Sequence, residues 1–322
     1  MKRNSLAVIV AIGISILGVA GGVAQAEAPP TEQCSLAVVS RLVQGNARVC
    51  DTKTVQQMAK AGHAFEQNQL GIASVLAIGP DYSEKEALAW FQKSAESGYA
   101  PAQVNLGVMY INGWGTPVNY GAGLQWLHAA ADQHFGRAYF NLGILYLEGK
   151  GVKRDNEEAF RWFQKGAEAG DSSAETNLGY MYDQGLGCQR DVSRAAMLYR
   201  KAAEAGNPLG ENNLADMYLR GEGMTRDYAE AFSWFQKAAA QGHTGAQIKL
   251  GSMYANGQGT AKDPEAAYAW AKAAEMGGDP RGKELLHSLE GSLSKEQVER
   301  AHLRARLLRQ GEPELSAENF AE

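Results

Sequence analysis

The sequence predicts an all-α protein built as a repeat solenoid, and three observations carry that prediction. A shift of 36 residues superimposes the chain on itself without a gap, so Leu70, Leu106, Leu142, Leu178, Leu214 and Leu250 share one column. Gly-x-Gly pairs punctuate five of the six copies, at Gly113/Gly115, Gly149/Gly151, Gly185/Gly187, Gly221/Gly223 and Gly257/Gly259. A third column holds only residues that cap helices: Ser83, Asn119, Asp155, Asp191, Asp227 and Asp263. Six such repeats fill residues 65–280. A single repeat could not bury its own apolar face, so neighbours must stack.

Each repeat reads as two helices. The first carries Leu, Gly and a Tyr four residues after the Leu on one face, and the Gly lets a partner helix come close. The Tyr column is Tyr110, Tyr146, Tyr182, Tyr218 and Tyr254. The Gly-x-Gly pair stops that helix, because a residue without Cβ tolerates the left-handed conformation. The Ser/Asn/Asp column then opens the second helix by accepting a bond from its orphan N–H groups. Trp90, Trp126, Trp162, Trp234 and Trp270 mark the second helix, with Leu198 standing in once, and they are expected in its buried stripe. Gly98, Gly170, Gly206, Gly242 and Gly278 end it, His134 being the exception.

The flanks are expected to close the stack. Residues 27–64 read as an N-terminal helical cap. Residues 281–310 restart a first helix, with Leu286 in register, and add a final helix opened by a capping box of Ser294 and Gln297. Arg300, Arg304, Arg306 and Arg309 are expected on the exterior of that helix, and 311–322 form an acidic tail.

Residues 1–26 have the grammar of an export signal. Lys2 and Arg3 precede an apolar stretch, Leu6 to Ala20, and Ala24-Gln25-Ala26 supplies the small-x-small cleavage pattern. The stretch is short of the roughly 20 residues a membrane span needs. Glu27 follows the expected cut, which offers no Cys for lipid attachment. Loss of Lys2 and Arg3 takes the formal charge from −5 to −7. The mature chain is therefore expected to be soluble, acidic and periplasmic. Cys34 and Cys50 are expected to pair there as a disulfide, while Cys188 sits in a column of small packed residues. Lys+Arg 31 against Asp+Glu 36 argues against a nucleic-acid partner.

The repeat pattern, Ala-x-x-x-Leu-Gly-x-x-Tyr-x-x-Gly-x-Gly-x-x-x-Asp-x-x-x-Ala-x-x-Trp-x-x-x-Ala-x-x-Gly, resembles the SEL-one-like repeat (SLR), a branch of the tetratricopeptide-like repeats. Residues 137–172 match it nearly column for column, whereas the first repeat departs at Ser74 and Ala77. The resemblance covers 65–286 and implies a right-handed α-solenoid of six SLR units between helical caps. It also implies an adaptor or scaffold in protein complexes, and offers no shared catalytic residues.

The chain shows no catalytic constellation. The Gly-x-Gly pairs follow helices rather than strands and recur from repeat to repeat, so they are turns and not phosphate loops. The six His lack metal-ligand spacing, and neither Gly-x-Ser-x-Gly nor Cys-x-x-Cys is present. No cofactor or metal is expected, and no enzymatic activity. Binding is expected on first-helix positions that avoid the structural columns, in the geometry the resemblance implies: Val104, Val108, Ile111, Phe140, Ile144, Leu147, Thr176, Tyr180, Asp183, Asn212, Asp216, Leu219, Ile248, Ser252 and Ala255, with Arg220 adjacent. These positions change from apolar to polar along the chain, which suits a shaped protein partner with Phe140 and Tyr180 as aromatic anchors. Trp114, an indole in a mostly polar turn column, is a further contact candidate. The expected partner is another envelope protein, bound by a scaffold or regulator. The alternatives are an immunity protein that neutralises a periplasm-delivered type VI secretion toxin, such as a phospholipase, and a β-lactam-active SLR protein.

Overall fold

The computed structural model describes residues 52–75, 83–289 and 291–310. The export signal, the Cys34–Cys50 pair and the acidic tail lie outside the described residues. Every element among the described residues is a helix. The described residues divide into two compact lobes, the first ending at Ala174 and the second beginning at Glu175.

The first lobe contains α1 (Thr52–Lys60), α2 (Ala64–Val75), α3 (Glu84–Glu96), α4 (Ala100–Asn112), α5 (Tyr120–Ala131), α6 (Gly136–Glu148) and α7 (Asn156–Glu168). Consecutive helices pack in pairs, and α4 also touches α6, the first helix of the next repeat. The lobe's core is built from Leu106 and Leu142 of the Leu column with Met109 and Leu145 three residues on. Opposite them stand Phe91 and Leu127, and Phe163 is likewise fully buried. The Leu-Gly step explains the close packing: a Cβ on Gly71 would meet the Phe91 ring at 2.6 Å, and one on Gly143 would meet Phe163 at the same distance.

The second lobe opens within α8 (Ser172–Gln184) and continues through α9 (Val192–Glu204), α10 (Pro208–Arg220), α11 (Tyr228–Ala240), α12 (Thr244–Asn256) and α13 (Pro264–Met276). Its core repeats the scheme with Leu214, Leu250, Met217, Met253, Tyr199 and Phe235. Then α14 (Arg281–Leu289) packs on α12 and α13, as the first helix of a seventh repeat would. Finally α15 (Lys295–Gln310) lies against α13, burying Ala301 and Ala305.

The predicted caps are all formed. Ser83, Asn119, Asp155, Asp191, Asp227 and Asp263 each accept a backbone N–H from the first turn of the helix they open. The same residues close the preceding turn from their own N–H, which Asn119, Asp155, Asp191, Asp227 and Asp263 donate to the carbonyls of Tyr110, Tyr146, Tyr182, Tyr218 and Tyr254. Asp227 accepts from both Ala229 and Glu230, so Asp227→Ala should destabilise its helix by ~1 kcal/mol, read as a lowered unfolding temperature. The capping box holds as well: Ser294 N–H donates to the Gln297 amide oxygen, and Gln297 N–H to the Ser294 hydroxyl. His134, the exception in the closing Gly column, has φ 60° and is the sole non-glycine with positive φ among the described residues. Its ring nitrogen Nδ1 lies 3.1 Å from the Tyr139 hydroxyl.

Two expectations need correction. The Trp column is not the core stripe: Trp90, Trp126, Trp162 and Trp234 are half-buried, and the fully buried side chain is the next residue, about 100° further round the helix. Trp270 alone is fully buried, in the helix against which α15 packs. The Tyr column is likewise half-buried, each Tyr nine residues before the cap residue that donates to its carbonyl. On α15, Arg300, Arg306 and Arg309 are exposed, but Arg304 is half-buried with its Nε inside.

Candidate protein-binding face

The expected binding positions separate into buried and accessible groups. In the first lobe Val104 and Val108 are buried core residues, at 1% and 3% exposure. The reason is that α4 is covered on three sides, by α3, α5 and α6, so its apolar arc is wider than one helix contact requires. Trp114 is buried too, in the same core cluster, which corrects its assignment as a surface contact. Ile111 packs over Gly123, and Phe140 lies 6.2 Å from Phe163 under the Arg137 guanidinium. Ile111, Phe140 and Ile144 are half-buried.

The second lobe keeps more of its predicted face accessible. Tyr180 is 45% exposed, and Arg220 is exposed beside Glu222 at 3.5 Å. Asp183 is held by Arg190, which donates to its backbone carbonyl at 2.7 Å, and Asp216 is paired with Lys249. Asn212 is buried and donates to Asn213, so it supports the face from below and does not present itself. Beneath the cluster sits Tyr199, buried and bonded to Asn213; burial and the nearby Asp183 and Tyr180 push its phenol well above the ordinary value. Lys249, Tyr199 and Asn213 escaped the sequence reading. The column just before Leu reads Gln69, Asn105, Asn141, Asn177, Asn213 and Lys249, and the cation breaking a row of amides was the available signal.

A second column, three residues before Leu, carries buried polar side chains. Gln67, Gln103 and Gln247 each donate from Nε2 to the carbonyl of Ala59, Ala95 and Ala239, at 3.0, 3.3 and 3.2 Å. Glu175 and Glu211 take this place in α8 and α10. Glu175 is ion-paired with Lys201 at 2.7 Å. Glu211, 3% exposed, accepts from Gln241 at 2.8 Å, and burial pushes its carboxyl up to about 7. His243 caps α12 by accepting the Ala246 N–H on Nδ1, and burial holds its pKa below the usual value. Cys188 donates weakly to the Met181 carbonyl at 3.5 Å, and burial raises its thiol pKa. Among the described residues no cluster of His, Cys, Asp and Glu is placed to hold a metal ion. Nor is any of their helices long and apolar enough to cross a membrane.

The Sel1 repeat model matches six consecutive stretches, residues 67–99, 100–135, 136–171, 172–207, 208–243 and 244–279. The chain belongs to the Sel1 repeat family. A Sel1 repeat protein from Oxalobacter formigenes is similar at 30% identity and TM-score 0.62, covering 70% of this chain and 99% of that one. A protective antigen of uropathogenic Escherichia coli strains that displays an SLR fold is 33% identical at TM-score 0.59, covering 84% of this chain and 60% of that one. An immunity protein from Pseudomonas aeruginosa shares the fold at 15% identity and TM-score 0.51, covering 86% of this chain and 90% of that one. Comparison with curated proteins returned no match. The Sel1 repeats of this chain thus make a protein-binding repeat fold, an α-helical solenoid of six repeats.

Proposed function

We propose that this Sel1 repeat protein is exported to the periplasm and works there without chemistry, as an adaptor, scaffold or regulator that binds another envelope protein. The observation that carries this reading is the contrast between columns. Core positions keep Leu, Met and Phe from repeat to repeat, while the face positions of the second lobe present Tyr180, Asp183, Asp216 and Arg220. Packing explains the first set and leaves the second free to differ, as a surface fitted to one partner would. Tyr180 supplies an aromatic anchor in this reading, and the two aspartates with their paired cations supply a charged rim.

A second reading is an immunity protein that occludes a toxin delivered to the periplasm, such as a type VI phospholipase. Its support is the fold shared over most of both chains with the Pseudomonas immunity protein. One capture experiment separates the two. Mature 27–322 should retain a partner from periplasmic extract, and the double change Asp183→Lys, Asp216→Lys should lose it while helical content stays the same. Resident envelope proteins in the capture support the scaffold reading; a single stoichiometric hydrolase supports immunity. Capture that survives the double change sinks the assignment of this face. Turnover of nitrocefin by the purified protein would overturn the non-enzymatic reading.

A further inference from the structure

Glu175 and Glu211 occupy the same column, and each has a lysine 26 residues on, 175 to 201 and 211 to 237. The two lysines nevertheless behave differently. Lys201 reaches Glu175 at 2.7 Å, whereas Lys237 lies over the Trp234 ring, 3.6 Å from its centroid. The residue three before each lysine explains this. It is Trp234 in α11 but Leu198 in α9, so Lys201 has no indole face to lie on and pairs with the carboxylate. Lys93 and Lys165 also lie over the Trp three residues before them, at 4.6 and 4.5 Å.

Glu211 is therefore buried without its cation. Gln103 shows what the column does when neutral: it donates to Ala95 and accepts from Gln133 at 2.8 Å. Glu211 accepts from Gln241, the counterpart of Gln133, and its neighbour Gly210 packs against Ala202 and Ala203. Only the protonated acid can complete the pattern, by donating to the Ala203 carbonyl as Gln103 donates to Ala95. The charged groups around it are few. From α11 it faces Lys237, and the α11–α12 turn presents the neutral Gln241. Lys201 on α9 is committed to Glu175, and His243 beyond the turn faces Asp216, Lys249, Asp279 and Arg281.

We propose that Lys237 is a two-position switch, lying over Trp234 while Glu211 is a neutral acid and crossing to the Glu211 carboxylate once that acid ionises, which uncovers the indole face on the second lobe. The proton leaves Glu211 to solvent, so charge balances with no other reactant. The Glu175–Lys201 pair is the same device in its second position.

Tryptophan emission of the full mature chain tests this, titrated from about pH 5 to about pH 9, with Trp234→Phe as the reference that isolates the Trp234 signal. A single proton step near neutrality is expected in that signal. Glu211→Gln and Lys237→Met should each remove the step while far-UV circular dichroism shows the helices intact. Leu198→Trp should draw Lys201 away from Glu175 and add a second step. A Trp234 signal that stays flat across the range overturns the proposal, and so does a step that survives Glu211→Gln.

Discussion

Replacing Gly259 by Ala should lower the stability of the last repeats by about 3–4 kcal/mol, while Gly257→Ala, two residues away, should cost only about 1 kcal/mol. Both glycines are left-handed, at φ +71° and +69°, so both substitutions carry the same backbone penalty. The space around them differs. A Cβ on Gly257 would rest at 3.4 Å from the Lys262 nitrogen, an ordinary contact. A Cβ on Gly259 would fall inside the carbonyl oxygen of Tyr228, the first residue of α11 in the preceding repeat. That oxygen belongs to a helix and cannot swing aside, so the two repeats would have to part. Thermal unfolding of the two variants should separate them clearly, and equal losses would show that the second glycine does not seat one repeat on the next. Gly223 meets the Val192 carbonyl in the same way, at 2.8 Å.

Glu211→Gln should stabilise the protein in a pH-dependent manner. The folded-state carboxyl sits at about 7 against an ordinary value near 4.5, raised by burial. A raised value means that folding favours the protonated acid. Its contribution is fully present below about pH 4.5 and is lost as pH rises through about 7. The neutral amide keeps the protonated acid's bonding pattern at every pH. The variant should therefore resemble wild type near pH 4 and exceed it by about 3 kcal/mol near pH 8, from 2.5 units at 1.36 kcal/mol each. The midpoint of unfolding, measured for both proteins across this range, should diverge as pH rises. A constant offset would mean that Glu211 ionises in the folded protein much as it does in water.

The architecture was legible because it is written many times. Six copies of a cap residue, and five each of a Leu-Gly step and a Gly-x-Gly turn, carry a local physical reason, and all six caps form as expected. What escaped was the difference between one residue and the next around a helix. Trp is the most visible letter of the second helix, yet Phe91, Phe163 and Phe235 beside it are the ones fully enclosed. A lysine three residues on covers the indole in three repeats, and such a pair is half in water. The binding positions failed for a related reason. Val104 and Val108 are apolar because α4 touches a third helix, and sequence periodicity cannot separate that from an apolar groove. Tyr180 stayed exposed, whereas Asp183 and Asp216 are half-buried beside the Arg190 and Lys249 cations that hold them, partners that helical periodicity does not reveal.

The uniform length of the repeats has a genetic consequence. Gly115, Gly151, Gly223 and Gly259 each seat one repeat on the opening turn of the preceding repeat's second helix, and they recur in a register of 36 residues. A misaligned recombination that removes or duplicates one whole repeat therefore leaves each remaining seam with a neighbour of the right shape. Repeat number can drift without a new interface having to evolve, whereas a change of a single residue between seams would leave one glycine facing the wrong turn.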